Sequence, residues 1–338
     1  MKSYFIRRLL LIIPTFLGIS LMVFTITRFV PGGPIERMLA QAQQAAASMP
    51  GSHRVSQAPL SEDQLNELKR YYGFDKPVLV SYFLWLGKVL QFDLGNSTRY
   101  YEPVWDIIKS KLPVSLFYGI FALILGYSVC IPLGVLKAIK HRTAIDNTTS
   151  IIVFIGYAIP NYVVAIILLI TFSSWLDIFP LGGFTGDDFN SLSFAGKIGD
   201  LIYHAILPLI SYMAGSFAVM TFIMKNSLMD HLASDFMRTA IAKGLPFKKA
   251  VFKHAFRNSL IPLATNFGNN ISMILMGSYL VEKIFNIDGM GLLGLESVIE
   301  RDYPVVMGIL VISSLLFMIG NILSDVCVAI VDPRVQFK

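Results

Sequence analysis

Apolar residues in this chain gather in unbroken blocks instead of alternating, and six blocks are long enough to carry a helix across a bilayer. They cover residues 9–29, 114–136, 149–172, 203–224, 260–281 and 305–331. A block of roughly twenty residues reaches about 30 Å at about 1.5 Å of rise per residue. The pattern therefore predicts an all-α membrane protein with six transmembrane helices. Lys2, Arg7 and Arg8 precede the first block as in a signal peptide, but the apolar run is too long for one and no small-x-small cleavage site follows closely. It reads as a retained helix. Pro14, Pro132, Pro160, Pro208 and Pro262 fall inside the blocks, where each removes a helix hydrogen bond and permits a kink.

Lysine and arginine set the orientation, because they resist translocation while acidic residues count for little. Fifteen of them lie in the N-terminus, the second-to-third connection (Lys137, Lys140, Arg142), the fourth-to-fifth connection and the tail. The short connections opposite hold Lys197, Lys283 and Arg301. This bias places both termini and the loop 225–259 in the cytoplasm, and by alternation it leaves residues 31–112 outside as a large insertion. The insertion opens on Pro31-Gly32-Gly33-Pro34 and runs through an Ala-, Gln- and Ser-rich stretch to Pro59. A helix is expected from Ser61, capped with Gln64 and ended at Gly73, and an amphipathic second one over 78–90 after Pro77. Tyr82, Phe83 and Trp85 suit that second helix to the outer membrane surface, the other placement being over the mouth of a pore. The expected divisions are 1–30 (N-terminus and first span), 31–112 (insertion), 113–331 (membrane core with the 225–259 loop) and 332–338 (tail).

Composition narrows the chemistry. The chain is 54% hydrophobic and 15% charged, with a mean hydropathy of +0.62. Its net charge of +6 sits in short loops, so no nucleic-acid partner is expected. Cys130 and Cys327 lie within apolar blocks and suggest neither a disulfide framework nor a zinc site. There is no His-Glu-x-x-His, no Gly-x-Ser-x-Gly and no Walker A loop, so any ATP-driven step falls to another chain. Gly289, Gly291 and Gly294 have the dinucleotide spacing without its βαβ context, and are expected to serve a sharp turn or close packing at the outer face. Ion-coupled carriers keep carboxylates or histidines near mid-membrane. Here His204 lies near the outer end of one span and reads as an interfacial hydrogen-bonding residue, while Asp325 lies near the inner end of another and needs a partner. An ion-coupled secondary transporter is thus the alternative reading.

The inward loop carries the most specific pattern. Gly244 and Pro246 divide residues 235–262 into two short helices, with Ala240 and Ala242 before the break. Two capped helices where a plain turn would close the loop point to a docking surface. The run Arg238-Thr239-Ala240-x-Ala242-Lys243-Gly244-Leu245, then His254-Ala255-x-Arg257-Asn258-x-Leu260-x-Pro262, resembles the EAA motif of ABC-importer permeases in its dipeptide, oligopeptide and nickel form. Arg238, Thr239 and Ala240 stand at the Glu-Ala-Ala triplet, so its last alanine and the following glycine are kept. Further landmarks of that family are Pro31-Gly32-Gly33-Pro34, Tyr72 to Pro77, Phe92-Asp93-Leu94-Gly95-Asn96-Ser97, Leu112-Pro113, His204 to Pro208, Glu282-Lys283-Ile284-Phe285, Arg301-Asp302-Tyr303-Pro304 and Asp332-Pro333-Arg334. The resemblance spans the whole chain. Gly33 and Ile155-Gly156-Tyr157-Ala158-Ile159-Pro160 are most similar to the permease of microcin C and oligopeptide uptake.

This resemblance implies a multi-pass permease in the bacterial inner membrane, passing peptides or peptide-like antibiotics from periplasm to cytoplasm. The insertion after the first span would be periplasmic, and a second permease, usually a different chain, would complete the pore among membrane lipid. Two ATPase domains or subunits would bind ATP and Mg and hydrolyse the nucleotide, and a periplasmic peptide-binding protein would deliver cargo; this chain itself would hold no cofactor. The resemblance also implies that Arg238, Thr239, Ala240, Ala242, Lys243, Gly244, Leu245 and Lys248 form the ATPase-coupling segment, a coupling helix over 238–244. There Gly244 would permit a tight turn, Ala240 close approach, and Lys243, Lys248 and Lys249 contact with an acidic rim.

Overall fold

The computed structural model describes residues 2–29 and 75–331. The expectations for the Pro31 turn, the helix from Ser61 and the tail lie outside the described residues. The elements are α1 (Lys2–Phe29), α2 (Val78–Val89), α3 (Val104–Ile139), α4 (Ala144–Ala158), α5 (Asn161–Leu168), α6 (Phe194–Leu232), α7 (Asp235–Ala242), α8 (Phe247–Ala250), α9 (Phe256–Ser259), α10 (Ile261–Met276), α11 (Tyr279–Ile284), α12 (Met290–Ile299) and α13 (Tyr303–Val331). Two wider π-helical segments, Leu169–Trp175 and Val251–Ala255, extend α5 and join α8 to α9. Among the described residues the one β interaction is an isolated bridge between Asn96 and Pro103.

Four helices, α1, α3, α6 and α13, are long and apolar enough to cross a membrane alone. Pro14, Pro132 and Pro208 stay inside continuous helices. Pro160 does not: α4 and the π-extended α5 pass as a span only as a pair, bent by 99°. Proline lacks the N–H that would bond the preceding turn and pushes the residue before it out of the helical region, and Ile159 is extended at φ −90, ψ 123. The block at 260–281 differs in a similar way. Helix α10 is 16 residues long, and Gly277 at φ +66 turns the chain before α11 starts. The six blocks thus appear as four long helices, one broken pair and one shorter helix.

The chain divides into two compact units. One comprises Leu11–Ser110 and Gly294–Ile312. In it Ser20, fully buried on α1, meets the Tyr82 hydroxyl of α2 at 2.9 Å, and Phe24 packs on Tyr82 and Trp85. The helix expected over 78–90 is therefore present as α2, with Tyr82 and Trp85 packed on α1 and Phe83 exposed. Residues 95–104 form a tight loop, with Ser97 N–H donating to Glu102 O and Val104 N–H to Gly95 O, both at 2.9 Å.

The other unit comprises Met1–Leu10, Lys111–Leu293 and Ser313–Lys338. Within it α3 and α6 run parallel: Tyr118 stacks on Tyr212, Cys130 meets Met220, and Gly134 lies against Met224. Two apolar clusters sit at opposite ends of this pair, one around Tyr118, Ala205, Leu207 and Phe285, the other around Val135, Met224, Leu228 and Met237. Asp325 pairs with Arg8 at 2.9 Å, which supplies the partner its sequence position required. His204 Nδ1 lies 2.9 Å from the backbone oxygen of Asp200 and 3.3 Å from its carboxylate. Cys130 is buried and Cys327 half-buried, both as free thiols.

Candidate functional site

The inward loop singled out in the sequence starts where α6 ends. Ser234, extended at φ −73 and ψ 156, precedes α7, and its backbone oxygen accepts the Met237 N–H at 3.1 Å. Met237 is the anchor: it is fully buried, among Met224 and Leu228 of α6 and Val135 and Ala138 of α3. The neighbours of Met237 on α7 point outward. Phe236 and Ile241 are exposed by 41% and 44%, and Arg238, Thr239 and Ala242 are exposed beside them.

Helix α7 ends in a Schellman motif. Leu245 N–H donates to Ala240 O at 3.2 Å and Gly244 N–H to Ile241 O at 2.9 Å, with Gly244 at φ +85. Ala240 and Leu245 are partly buried against the cluster that holds Met237. Nothing stands within 4 Å of where a Cβ on Gly244 would project, so the glycine is required by backbone conformation, and its outer face is open to a partner. The chain then re-enters through Pro246 into α8 and the π-helical segment after it, where Ala250, Val251 and Ala255 are buried while Lys248, Lys249, Phe252 and Lys253 face out. These outward residues and Pro246 line a shallow depression of about 530 Å³. The structure therefore brings Arg238, Thr239, Ala242, Lys243, Gly244 and Lys248 onto one displayed segment, with Ala240 and Leu245 as its inner seam. Arg257 caps the end of α13, donating to Val331 O at 2.7 Å and Ile330 O at 3.1 Å.

Two further constellations escaped sequence reasoning. The first joins α3, α4 and α6. Lys225 of α6 donates to both Asp146 carboxylate oxygens, at 2.7 and 2.8 Å, and Lys137 of α3 lies 3.2 Å from the same group. Lys137 is fully buried and also donates to Asp146 O, Thr149 Oγ1 and Ser150 Oγ at 2.6–3.0 Å. The two lysines counted as loop charges are thus a clamp joining α3, α4 and α6. The available signal was Asp146, an acidic residue in the first turn of α4.

The second gathers on Glu282 of α11, a side chain 1% exposed. Its carboxylate accepts the Tyr212 hydroxyl at 3.0 Å and the Leu292 N–H at 2.7 Å. A Cβ on Gly289 would stand 2.8–2.9 Å from that carboxylate, which explains this glycine as close packing. Burial pushes the Glu282 carboxyl above its ordinary range, against the opposing pull of the Leu292 N–H, the Tyr212 hydroxyl and the Gly291 and Ser278 N–H groups. The neighbouring turn is tied to α3, with Lys111 pairing with Asp288 and the Ser115 hydroxyl accepting the Met290 N–H at 2.8 Å. Gly183 N–H reaches Phe285 O at 2.8 Å from the connection between α5 and α6.

The described residues thus hold several helices apolar enough to cross a membrane and a loop anchored by Met237 with its other face exposed. Comparison with known proteins agrees: residues 130–337 match the binding-protein-dependent transport system inner membrane component family, and the chain belongs to it. It is 37% identical over 360 residues to the peptidoglycan transport system permease protein YejB of Agrobacterium fabrum, covering 100% of this chain and 99% of that one. It is likewise 37% identical over 362 residues to the inner membrane ABC transporter permease protein YejB of Escherichia coli O157:H7, with 100% of both chains covered. The oligopeptide transport system permease protein AppB of Bacillus subtilis is 37% identical over 338 residues, again with 100% of both covered. The chain is a multi-pass inner-membrane permease subunit, a pore component whose ATP hydrolysis lies in separate chains.

Proposed function

We propose that this chain is one of two pore subunits of an ATP-driven peptide importer, and that residues 238–248 are its coupling segment to an ATPase subunit. The carrying observation is the displayed α7, held from behind by Met237 and ended by the open Gly244 turn. Exposed Phe236 and Ile241 fit an apolar groove, and Lys243, Lys248 and Lys249 fit an acidic rim around it. ATP and Mg are held by the two ATPase subunits, whose closure pushes α7; the Asp146 clamp passes that push to α3, α4 and α6 as a rigid body. Both termini face the cytoplasm by the lysine and arginine bias, and the insertion after α1 faces the periplasm, where a binding protein delivers cargo. Peptide as cargo is supported by the oligopeptide transport named for the Bacillus relative, and peptide-like antibiotics of the microcin C kind by the 155–160 motif.

Gly244→Asp tests this reading. The variant is expected to reach the membrane and to retain partner ATPase activity while losing peptide uptake. Wild-type uptake by Gly244→Asp would refute the coupling assignment. Failure of any ATPase chain to co-purify with the wild type would refute the importer reading as a whole.

A further inference from the structure

Three residues of α3 face the turn that follows α11. Lys111, Ser115 and Tyr118 are spaced i, i+4 and i+7, one face of one helix. Lys111 holds Asp288 and Ser115 holds Met290, but the third is unused. Tyr118 is 1% exposed, and its hydroxyl has no hydrogen-bond partner among the described residues. Its ring is boxed by Phe117, Phe184 and Tyr212 at centroid distances of 5.4–5.9 Å, in an otherwise apolar cluster. A hydroxyl that is desolvated without a return bond opposes the state in which it is seen, and phenylalanine would fill the same space without that cost.

The neighbour of Tyr118 shows what its hydroxyl would bond. Tyr212, stacked on it at 5.8 Å with planes 16° apart, already donates to Glu282 and accepts from the Ser278 N–H. Two phenols therefore lie side by side, one on α3 and one on α6, beside one buried carboxylate on α11. We propose that Tyr118 is a positioning residue of the transport cycle, its hydroxyl taking the Glu282 carboxylate in exchange for Tyr212 when α3 and α6 shift against the segment 277–292. The exchange keeps the buried carboxylate bonded in both arrangements, so neither state bears an unsatisfied charge at that point. It rests on the permease reading, because it needs a chain that alternates between two states.

The test uses the full complex in proteoliposomes, with labelled trialanine as the probe and the melting midpoint of the purified chain as a separate readout. Y118F is expected to melt no lower than wild type and to lose about tenfold in maximal uptake with an unchanged KM, the loss of a hydrogen bond to a charged group in one state only. In an E282L background, which has no acceptor at that position, adding Y118F is expected to cost nothing further, because the hydroxyl acts through the carboxylate. Full-rate uptake by Y118F, a midpoint several degrees lower, or losses that multiply in the double variant would each overturn the assignment. Absence of uptake in the wild type would instead remove the permease reading itself.

Discussion

The Ser97 hydroxyl donates to the carboxylate of Asp302, 205 positions away, and the backbone N–H groups of Thr98 and Arg99 converge on that carboxylate at 3.2 and 3.3 Å. Asp302 is fully buried and opens α13, its backbone oxygen accepting the Val306 N–H at 3.0 Å. Two landmark segments of the sequence, 92–97 and 301–304, are thus one joint. Arg99 adds an ion pair with Glu296 at 2.9 Å, partly exposed and worth little by comparison.

Asp302→Ala strands the Ser97 hydroxyl and the Thr98 N–H, while the Arg99 N–H keeps Ser97 Oγ at 3.1 Å, and is expected to cost about 3 kcal/mol, against about 1 kcal/mol for Ser97→Ala. Melting midpoints of the two purified variants check the ratio. Equal shifts would show that the carboxylate is not the centre of the joint.

At the Asp146 clamp, one carboxylate sits between two lysine ammoniums. Asp146→Asn leaves both lysines without a countercharge and is expected to cost about 3–5 kcal/mol, enough to abolish accumulation of the folded chain. Lys225→Met leaves Asp146 paired with Lys137 and is expected to cost much less. Yields of monodisperse protein in detergent rank the two, and a reversed order would contradict the charge count.

Gly244 separates backbone strain from surface contact. Its φ of +85 penalises alanine by about 1 kcal/mol, whereas asparagine tolerates that region. Gly244→Ala is therefore expected to melt lower than Gly244→Asn, while both add bulk to the outer face. If uptake follows bulk rather than melting temperature, the glycine serves the docked partner; if it follows melting, the turn alone matters.

Glu282 predicts a pH signature. Its folded carboxyl holds a proton more tightly than the unfolded one because burial disfavours the charge. Its contribution to stability is therefore present at low pH and lost as pH rises from the ordinary glutamate range through the raised folded value. The midpoint of wild type relative to Glu282→Gln is expected to fall steadily over that climb. A constant difference across pH would mean that the carboxyl titrates alike in both states.

Most of the helices were legible because twenty-residue apolar blocks have few other physical uses. The Gly244 turn was legible too, since glycine before a proline after an amphipathic helix allows few conformations. Lys137 and Lys225 were not, because positive-inside counting treats every lysine near a span as a solvated anchor, and only packing shows that Asp146 reaches both. Glu282 stood at the edge of a block, where a carboxylate ordinarily meets water; the glycines that make room for it act through space. The corner at Pro160 was expected as a kink, and its size is tertiary information.

The parallel run of α3 and α6 carries a rule of parity. A chain that crosses twice in the same sense has to return in between, and the α4–α5 pair is the one apolar stretch there able to make the return. At its elbow Pro160 has no N–H to offer the Gly156 carbonyl one turn earlier. Acyl tails have no donors to give, so a carbonyl freed at this bend is satisfied by protein or by water and never by lipid.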